Sequence, residues 1–323
     1  MKNVLITGCS GEMGYGLIKD LSSKNENLNI LAIDLVGPAD NIKRTVSRFI
    51  KTDITDVGQI EKVISSGPFD NIYHLAAILS THAASNMTLA HDVNVNGTLN
   101  LLNAIINNSS NERQPKFFFP SSIAVYNTYG INNYKPINES QYCNPSTSYG
   151  AHKLYCEQIG NILSIDKKID FRSIRFPGII SADTTPAGGT SDYGPEMLHA
   201  AIKGDAYDCF VEAESQIPFM TMPDAIESIS LLMQEKKENL QKAVYNVKGF
   251  APTAKDFEDE ILQYFPEFRV SYVPHLGRQR MVDGWPNDID DSAAKDDWKW
   301  QASHNLSLAF AKYLIPQTKK LYK

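Results

Sequence analysis

Short apolar runs alternate with amphipathic stretches through the first half of this chain, and that alternation constrains its fold more than any other feature. The runs are 4–6, 29–33, 49–50, 71–76, 116–119 and 171–176. Between them lie helix-length stretches at 13–21, 58–64, 87–107 and 148–163. In the third of these, Leu89, Val93, Leu99, Leu101, Leu102 and Ile105 give a broad apolar face. Strands buried on both faces read as continuous hydrophobic runs, and strand–helix alternation builds a parallel sheet wrapped by helices. The pattern predicts an α/β fold, a doubly wound parallel sheet over 1–176.

After Pro177 the rhythm changes. Residues 181–190, rich in Gly, Pro and Thr, read as loop. Helices are predicted at 193–203, 224–233 and 253–264, the last capped by Thr253, with a strand at 243–247 and a closing helix at 306–315. The stretch 278–291, which holds Trp285-Pro286, has no clear periodicity and reads as a loop long enough to suggest function. The expected division is a first domain of 1–176, with 216–248 packing back onto it, and a smaller second domain of 177–215 and 249–323.

Apolar content of 42% and charged content of 21% are those of an ordinary globular chain. A net charge of −6 argues against a dedicated nucleic-acid surface. No apolar run approaches the ~20 residues of a membrane span, so no membrane partner is expected. The N-terminus enters strand signals directly, without the apolar core of a signal peptide, and a cytoplasmic location is expected. Cys9, Cys143, Cys156 and Cys209 lie far apart, and the histidines show no ligand spacing. Free thiols and no metal are expected.

Gly8, Gly11 and Gly14 follow the first run and open the first helix. Glycines there allow a tight turn, close approach of a pyrophosphate and close helix–sheet packing, while the helix N-terminus offers unpaired N–H groups. Asp34 ends the second run about 20 residues later, where an acid accepts hydrogen bonds from an adenosine ribose. Leu35 and Val36 follow, not the Arg that a 2′-phosphate favours, so the cofactor expected is NAD. A capping or solvent-facing Asp is the other reading of Asp34, and of Asp53, which would otherwise sit by the adenine. Small residues in His74-Leu75-Ala76-Ala77 would let a cofactor lie across the sheet. His74 itself reads as a packed, hydrogen-bonded residue.

Tyr149 and Lys153 project from one helix face. A phenol of pKa ~10 is a poor base at neutral pH, and bringing it near 7 requires about 4 kcal/mol. A neighbouring ammonium and a nicotinamide's positive charge both act in that direction. Tyr15 and Lys19 repeat the spacing, so position decides: Tyr149 follows the helix-start signal 145–148, downstream of Ser121-Ser122 at the end of the fifth run. From there Ser122 can reach the same reacting oxygen.

Taken in order, Gly8xxGly11xxGly14, Asp34, His74-Leu-Ala-Ala77, Ser121-Ser-x-x-Val-Tyr126 and Tyr149xxxLys153 resemble the extended short-chain dehydrogenase/reductase superfamily over 1–180. That resemblance implies a Rossmann domain with a smaller C-terminal substrate domain, and a homodimer formed through a helix bundle. It implies Tyr149 as general base, Lys153 as its tuner and ribose ligand, and Ser122 as the hydroxyl that positions the substrate oxygen. The implied NAD-binding set includes Tyr149 and Lys153 and adds Glu12, Met13, Leu35 and Ile54, then Leu75, Ala76, Ala77 and Asn94, then Pro177 and Ile179. Glu12 and Met13 depart from the more hydrophobic filling common at this turn. In the second half, Arg175-Phe-Pro-Gly, Gly188-Gly-Thr-Ser-Asp192, Ile217-Pro-Phe-Met-Thr221 and Asp283-Gly-Trp-Pro286 are similar to the short-chain type of L-threonine 3-dehydrogenases. The similarity implies oxidation of L-threonine to 2-amino-3-ketobutyrate with hydride passing to NAD. Asp192 would then take the ammonium, and Gly189, Thr190 and Ser80 the carboxylate. Ser122 and Tyr149 would meet the hydroxyl, and Trp285 would close over the site. Thr190 and Asp192 could instead cap the helix at 193, and Trp285 could simply pack.

Two other readings stay open at this point. A sugar-nucleotide epimerase or dehydratase needs cations for a pyrophosphate, for which Arg278 and Arg280 are available, although between Gly188 and Gln216 Lys203 is the one Lys or Arg. A dinucleotide sensor without catalysis commonly loses the reactive tyrosine, which this chain keeps. A zinc-dependent threonine dehydrogenase fails on its missing ligands.

Overall fold

β1 (Lys2–Thr7), β2 (Leu28–Asp34), β3 (Arg48–Lys51), β4 (Asn71–His74), β5 (Lys116–Ser122) and β6 (Asp170–Phe176) form on the six apolar runs. The computed structural model describes residues 1–24, 27–108, 114–131 and 135–322, so Lys323, at the end of the expected second domain, lies outside the described residues. β7 (Gly178–Ile180), β8 (Tyr207–Cys209), β9 (Phe219–Thr221), β10 (Val244–Asn246) and β11 (Val270–Tyr272) are three residues each. The main sheet runs β10-β6-β5-β4-β1-β2-β3 with every pair parallel. The order reverses between β1 and β4, and such a switch point leaves a crevice at the carboxyl ends of the strands. This is the Rossmann arrangement, with a smaller C-terminal unit beyond it.

Continuous apolar strands are needed because both faces are covered. Phe117 and Phe119 of β5 point into one core with the helices Val57–Ser65 and Gly97–Asn108, while Phe118 points into the opposite core with Glu12–Lys24 and Met222–Gln234. Trp298 and Trp300, far down the chain, complete that second core. A third core lies under the C-terminal half and includes Tyr193, Phe219, Phe257 and Trp285. The helix Met222–Gln234 ends on two cations, Arg172 buried and Lys116 half-buried. Lys116 Nζ donates to the carbonyls of Met233 and Glu235, and Arg172 Nη1 donates to those of Leu232 and Glu235. Positive charge at a helix C-terminus meets its unpaired carbonyls.

The stretch 278–291 departs from its expected reading. Its first half lies in the helix Leu276–Asp283, and only the part from Gly284 is loop. All four cysteines are free thiols, with Cys9, Cys156 and Cys209 buried and Cys143 half-buried. Among the described residues, no group of three His, Cys, Asp or Glu side chains could hold a metal ion, and no helix is long and apolar enough to cross a membrane.

Candidate active site

The glycine turn sits against the carboxyl end of β4. Gly8 has φ of +71°, and a Cβ there would lie 2.5 Å from Ala76 N. A Cβ on Gly14 would lie 2.3 Å from Gly8 O, so the first helix can start only if both positions are bare. Gly11 differs. It is exposed, and its Cβ would meet only Gly8 O at 3.5 Å, so the protein's own packing does not demand glycine there and the backbone stays open to a ligand. Asp34 braces the turn: Oδ2 accepts from Ser10 N at 3.0 Å and Oδ1 from Leu35 N at 2.6 Å. Each oxygen keeps lone pairs for ribose hydroxyls. Asp53 is tied locally, its Oδ1 accepting from the amide and hydroxyl of Thr55. Ile54 packs under Gly97, where a Cβ would lie 2.7 Å from its Cδ1. Leu35 is exposed, Met13, Leu75, Ala76, Ala77 and Ile179 are half-buried, and Pro177 is buried. A glycine cradle, a carboxylate at the end of β2 and small residues at the switch point fit a dinucleotide.

Asn94 lies in the π-helical turn Asp92–Asn96, a distortion often found at functional sites. Its side chain clasps Ile78, Oδ1 accepting from the amide and Nδ2 donating to the carbonyl.

Tyr149 and Lys153 stand on the helix Ser148–Ile165, which starts at Thr147, whose Oγ1 accepts from Gly150 N. Gly150 fixes how closely this helix meets the end of β5. A Cβ there would lie 2.0 Å from Ala124 O, inside the short turn that begins after Ser122. Ser122 Oγ accepts from Ala124 N at 3.1 Å. Lys153 is buried, donates to Pro120 O at 2.7 Å, and lies 4.6 Å from the Phe119 ring centroid and 5.6 Å from that of Tyr149. Burial pulls its pKa down to about 8, against the attraction of Cys156 and Glu157. The Tyr149 phenol departs from expectation: in the chain alone burial pushes it up to about 12.

On the opposite wall, Asp192 sits at the start of the helix Tyr193–Lys203 but its carboxylate makes no cap bond there. It turns back instead, Oδ2 accepting from Ala187 N at 3.2 Å and Gly189 N at 2.6 Å. The capping alternative is thus replaced by loop bracing. Thr190 is buried with its hydroxyl 3.8 Å from Met281 Sδ. Glu12 faces Ser181, Asp183 and Asp192 across the cleft, and burial, then those two carboxylates, raise its pKa. Ser80 opens the helix Ser80–Ser85, which packs on the helix carrying Tyr149. Trp285 is buried in the C-terminal core, against which Tyr149 packs.

Several supporting groups were not foreseen. Arg175 makes a bidentate pair with Glu157, Nε to Oε1 at 2.9 Å and Nη2 to Oε2 at 2.7 Å, and also donates to Tyr126 Oη. Glu157 lies one turn beyond Lys153. Arg278 donates to Gly189 O at 2.6 Å and stacks on Phe210. No local sequence signal joins partners so distant. Gly150 carried a signal that could have been used, since a glycine directly after the reactive tyrosine marks a close approach.

The model of the NAD dependent epimerase/dehydratase family matches residues 4–247. The mitochondrial L-threonine 3-dehydrogenase of Bos taurus is 30% identical over 94% of this chain and 80% of its own length. That of Sus scrofa is 31% identical, over 94% and 79%. A solved structure, a monomeric L-threonine 3-dehydrogenase from a metagenome in its apo form, is 33% identical with a TM-score of 0.88, covering 99% of this chain and 100% of the other. The mitochondrial location of the two mammalian proteins overturns the expectation of a cytoplasmic protein. From the glycine cradle, the switch point and these matches along nearly its whole length, the chain belongs to the NAD-dependent epimerase/dehydratase family, with NAD as its cofactor.

Proposed function

We propose that this protein is an NAD-dependent L-threonine 3-dehydrogenase, oxidising the side-chain hydroxyl of L-threonine to give 2-amino-3-ketobutyrate. One observation carries the reading: the likeness to L-threonine 3-dehydrogenases spans the C-terminal half, where substrate is chosen, as fully as the cofactor half. Bound NAD supplies the hydride acceptor. Tyr149 removes the hydroxyl proton as the C–H bond breaks, and Ser122 holds the same oxygen by a hydrogen bond. Lys153, already buried beside the Tyr149 ring, favours the phenolate in concert with the cofactor's positive charge. Asp192, Gly189, Thr190 and Ser80 receive the amino acid's charged ends, and Trp285 excludes water.

Arg278 supports the same choice. Its guanidinium is committed to Gly189 O, to Glu196 at 3.7 Å and to the Phe210 ring, which leaves it poorly placed to clamp a sugar-nucleotide pyrophosphate. A homodimer belongs to the proposal. The helices Met87–His91 and Ser148–Ile165 leave Met87, Leu89, Tyr155, Ile162 and Ile165 exposed, an apolar surface that a partner copy would cover.

Turnover settles the reading. NADH should appear with L-threonine and not with UDP-sugars, and Tyr149→Phe should lose at least about 100-fold in kcat while binding NADH normally. Isomerisation of a sugar nucleotide, or full activity in Tyr149→Phe, would overturn it. Light scattering at micromolar concentration tests the dimer, and a single monomeric species refutes that part.

A further inference from the structure

His74 is fully buried at the end of β4, and no step above uses it. Its two ring nitrogens each meet a threonine hydroxyl: Nδ1 lies 2.8 Å from Thr7 Oγ1 and Nε2 lies 2.9 Å from Thr98 Oγ1. The neighbours of those hydroxyls indicate where the imidazole proton sits. Thr98 Oγ1 donates at 2.7 Å to Asn94 O, which can only accept, so its one proton is spent and it must accept from Nε2–H. At the other end Ala76 N–H donates to Thr7 Oγ1 at 3.2 Å, leaving the Thr7 proton for a bare Nδ1. The Thr98 end demands a proton on Nε2, and the Thr7 end accommodates the matching neutral imidazole with Nδ1 bare. Desolvation, reinforced by Lys153, holds the pKa down to about 3, which agrees.

The chain therefore runs in one direction: Ala76 N–H to Thr7, Thr7 to His74, His74 to Thr98, Thr98 to Asn94 O. Its links come from the end of β1 just before Gly8, the end of β4, and the π-helical turn. Cys156 Sγ, three residues past Lys153, donates to the same Asn94 carbonyl at 3.4 Å. Asn94 in turn clasps Ile78. The imidazole thus joins three walls of the dinucleotide site without reaching its surface.

We propose that His74 is a positioning residue for the dinucleotide, the neutral hub of a one-way hydrogen-bond chain that holds the Gly8 turn, the Ala76 amide and Asn94 in register. The proposal rests on the reading that these segments line the NAD site. Its role is not proton transfer, since the chain ends on a backbone carbonyl and a backbone amide.

The test uses isosteric pairs. Thr98→Val and Thr7→Val each cut one link with little change of volume, and Thr98→Ser and Thr7→Ser restore it. NADH affinity, measured by calorimetry on the whole protein, should fall about tenfold in each Val variant and recover in the Ser variants, as expected for breaking one buried hydrogen bond. The double Val variant should lose less than the product of the two single losses, because both act through one ring. Nitrogen-15 spectra of labelled histidine, with His74 assigned by its absence in His74→Gln, should show a neutral Nε2–H tautomer from pH 5.5 to 8.5. Wild type that binds no NADH would refute the underlying cofactor reading. Normal NADH affinity in both Val variants, even with lowered melting temperatures, or a proton on Nδ1, would refute the inference alone.

Discussion

Lys153 brings a cation into a pocket walled by the rings of Phe119 and Tyr149, with the Pro120 carbonyl as acceptor. Burial sets its folded-state pKa near 8, below the value of 10.5 it takes when unfolded. Between those two values the unfolded chain binds the extra proton, so this residue's stabilising contribution is present above about 10.5 and disappears as pH falls through about 8. Unfolding by denaturant should show wild type gaining on Lys153→Met by up to about 3 kcal/mol between pH 8 and 10.5. A gap that stays flat with pH would contradict the burial described. The second Tyr/Lys pair in the chain marks what spacing alone conveys: Tyr15 Oη accepts from Asn41, far from Ser122, in a helix that opens the nucleotide turn. Position, after the helix-start signal 145–148 and downstream of Ser122, singled out Tyr149 and Lys153 where residue type and spacing could not. The direction of Lys153, toward a carbonyl, needed the fold.

Between elements, contact is set by what is missing. The helix Ser148–Ile165 rests on the turn after β5 through Gly150, with no room for a methyl group. Gly150→Ala should push the helix off Ala124, cost about 1–3 kcal/mol of stability, and lower kcat about 100-fold while the affinity for NADH changes little. Unchanged kcat would mean that this approach does not set the Tyr149–Ser122 geometry. The strands inside the sheet were readable because burial on both faces favours apolar runs along their centres, while β3 at the edge, with no buried residue, showed only Phe49-Ile50. The helix Leu276–Asp283 was not, because it has no apolar stripe: only Gln279 and Val282 are buried, and Gln279 is held by Glu212 N, Ser215 and Asp283. β7, β8, β9 and β11, at three residues each, are too short to show a period. Asp192 was singled out from the sequence as an acceptor for the substrate's ammonium, whereas its bonds to Ala187 and Gly189 depend on a turn that composition does not encode.

At the scale of the molecule, the first half does not close its own sheet. β10 supplies the strand beside β6, the helix Met222–Gln234 covers one face, and Trp298 and Trp300 finish that core. A fragment ending at residue 180 would leave Phe118, Ile174 and Phe176 bare, and should aggregate or stay unfolded. The three tryptophans all lie beyond that point, so in the full chain their fluorescence and the backbone circular dichroism should be lost in one transition. A soluble, folded fragment would refute this interdependence. The same close packing bears on the thiols. Burial pushes Cys9, Cys156 and Cys209 up to about 11, leaving almost no thiolate at neutral pH and no path for a reagent. Burial raises the Cys143 thiol as well, against the pull of Arg175, but Cys143 alone is partly open to a reagent. The wild-type chain thus comes with a single addressable handle, and a maleimide dye could be attached next to the Arg175–Glu157 pair without any cysteine being engineered in or out.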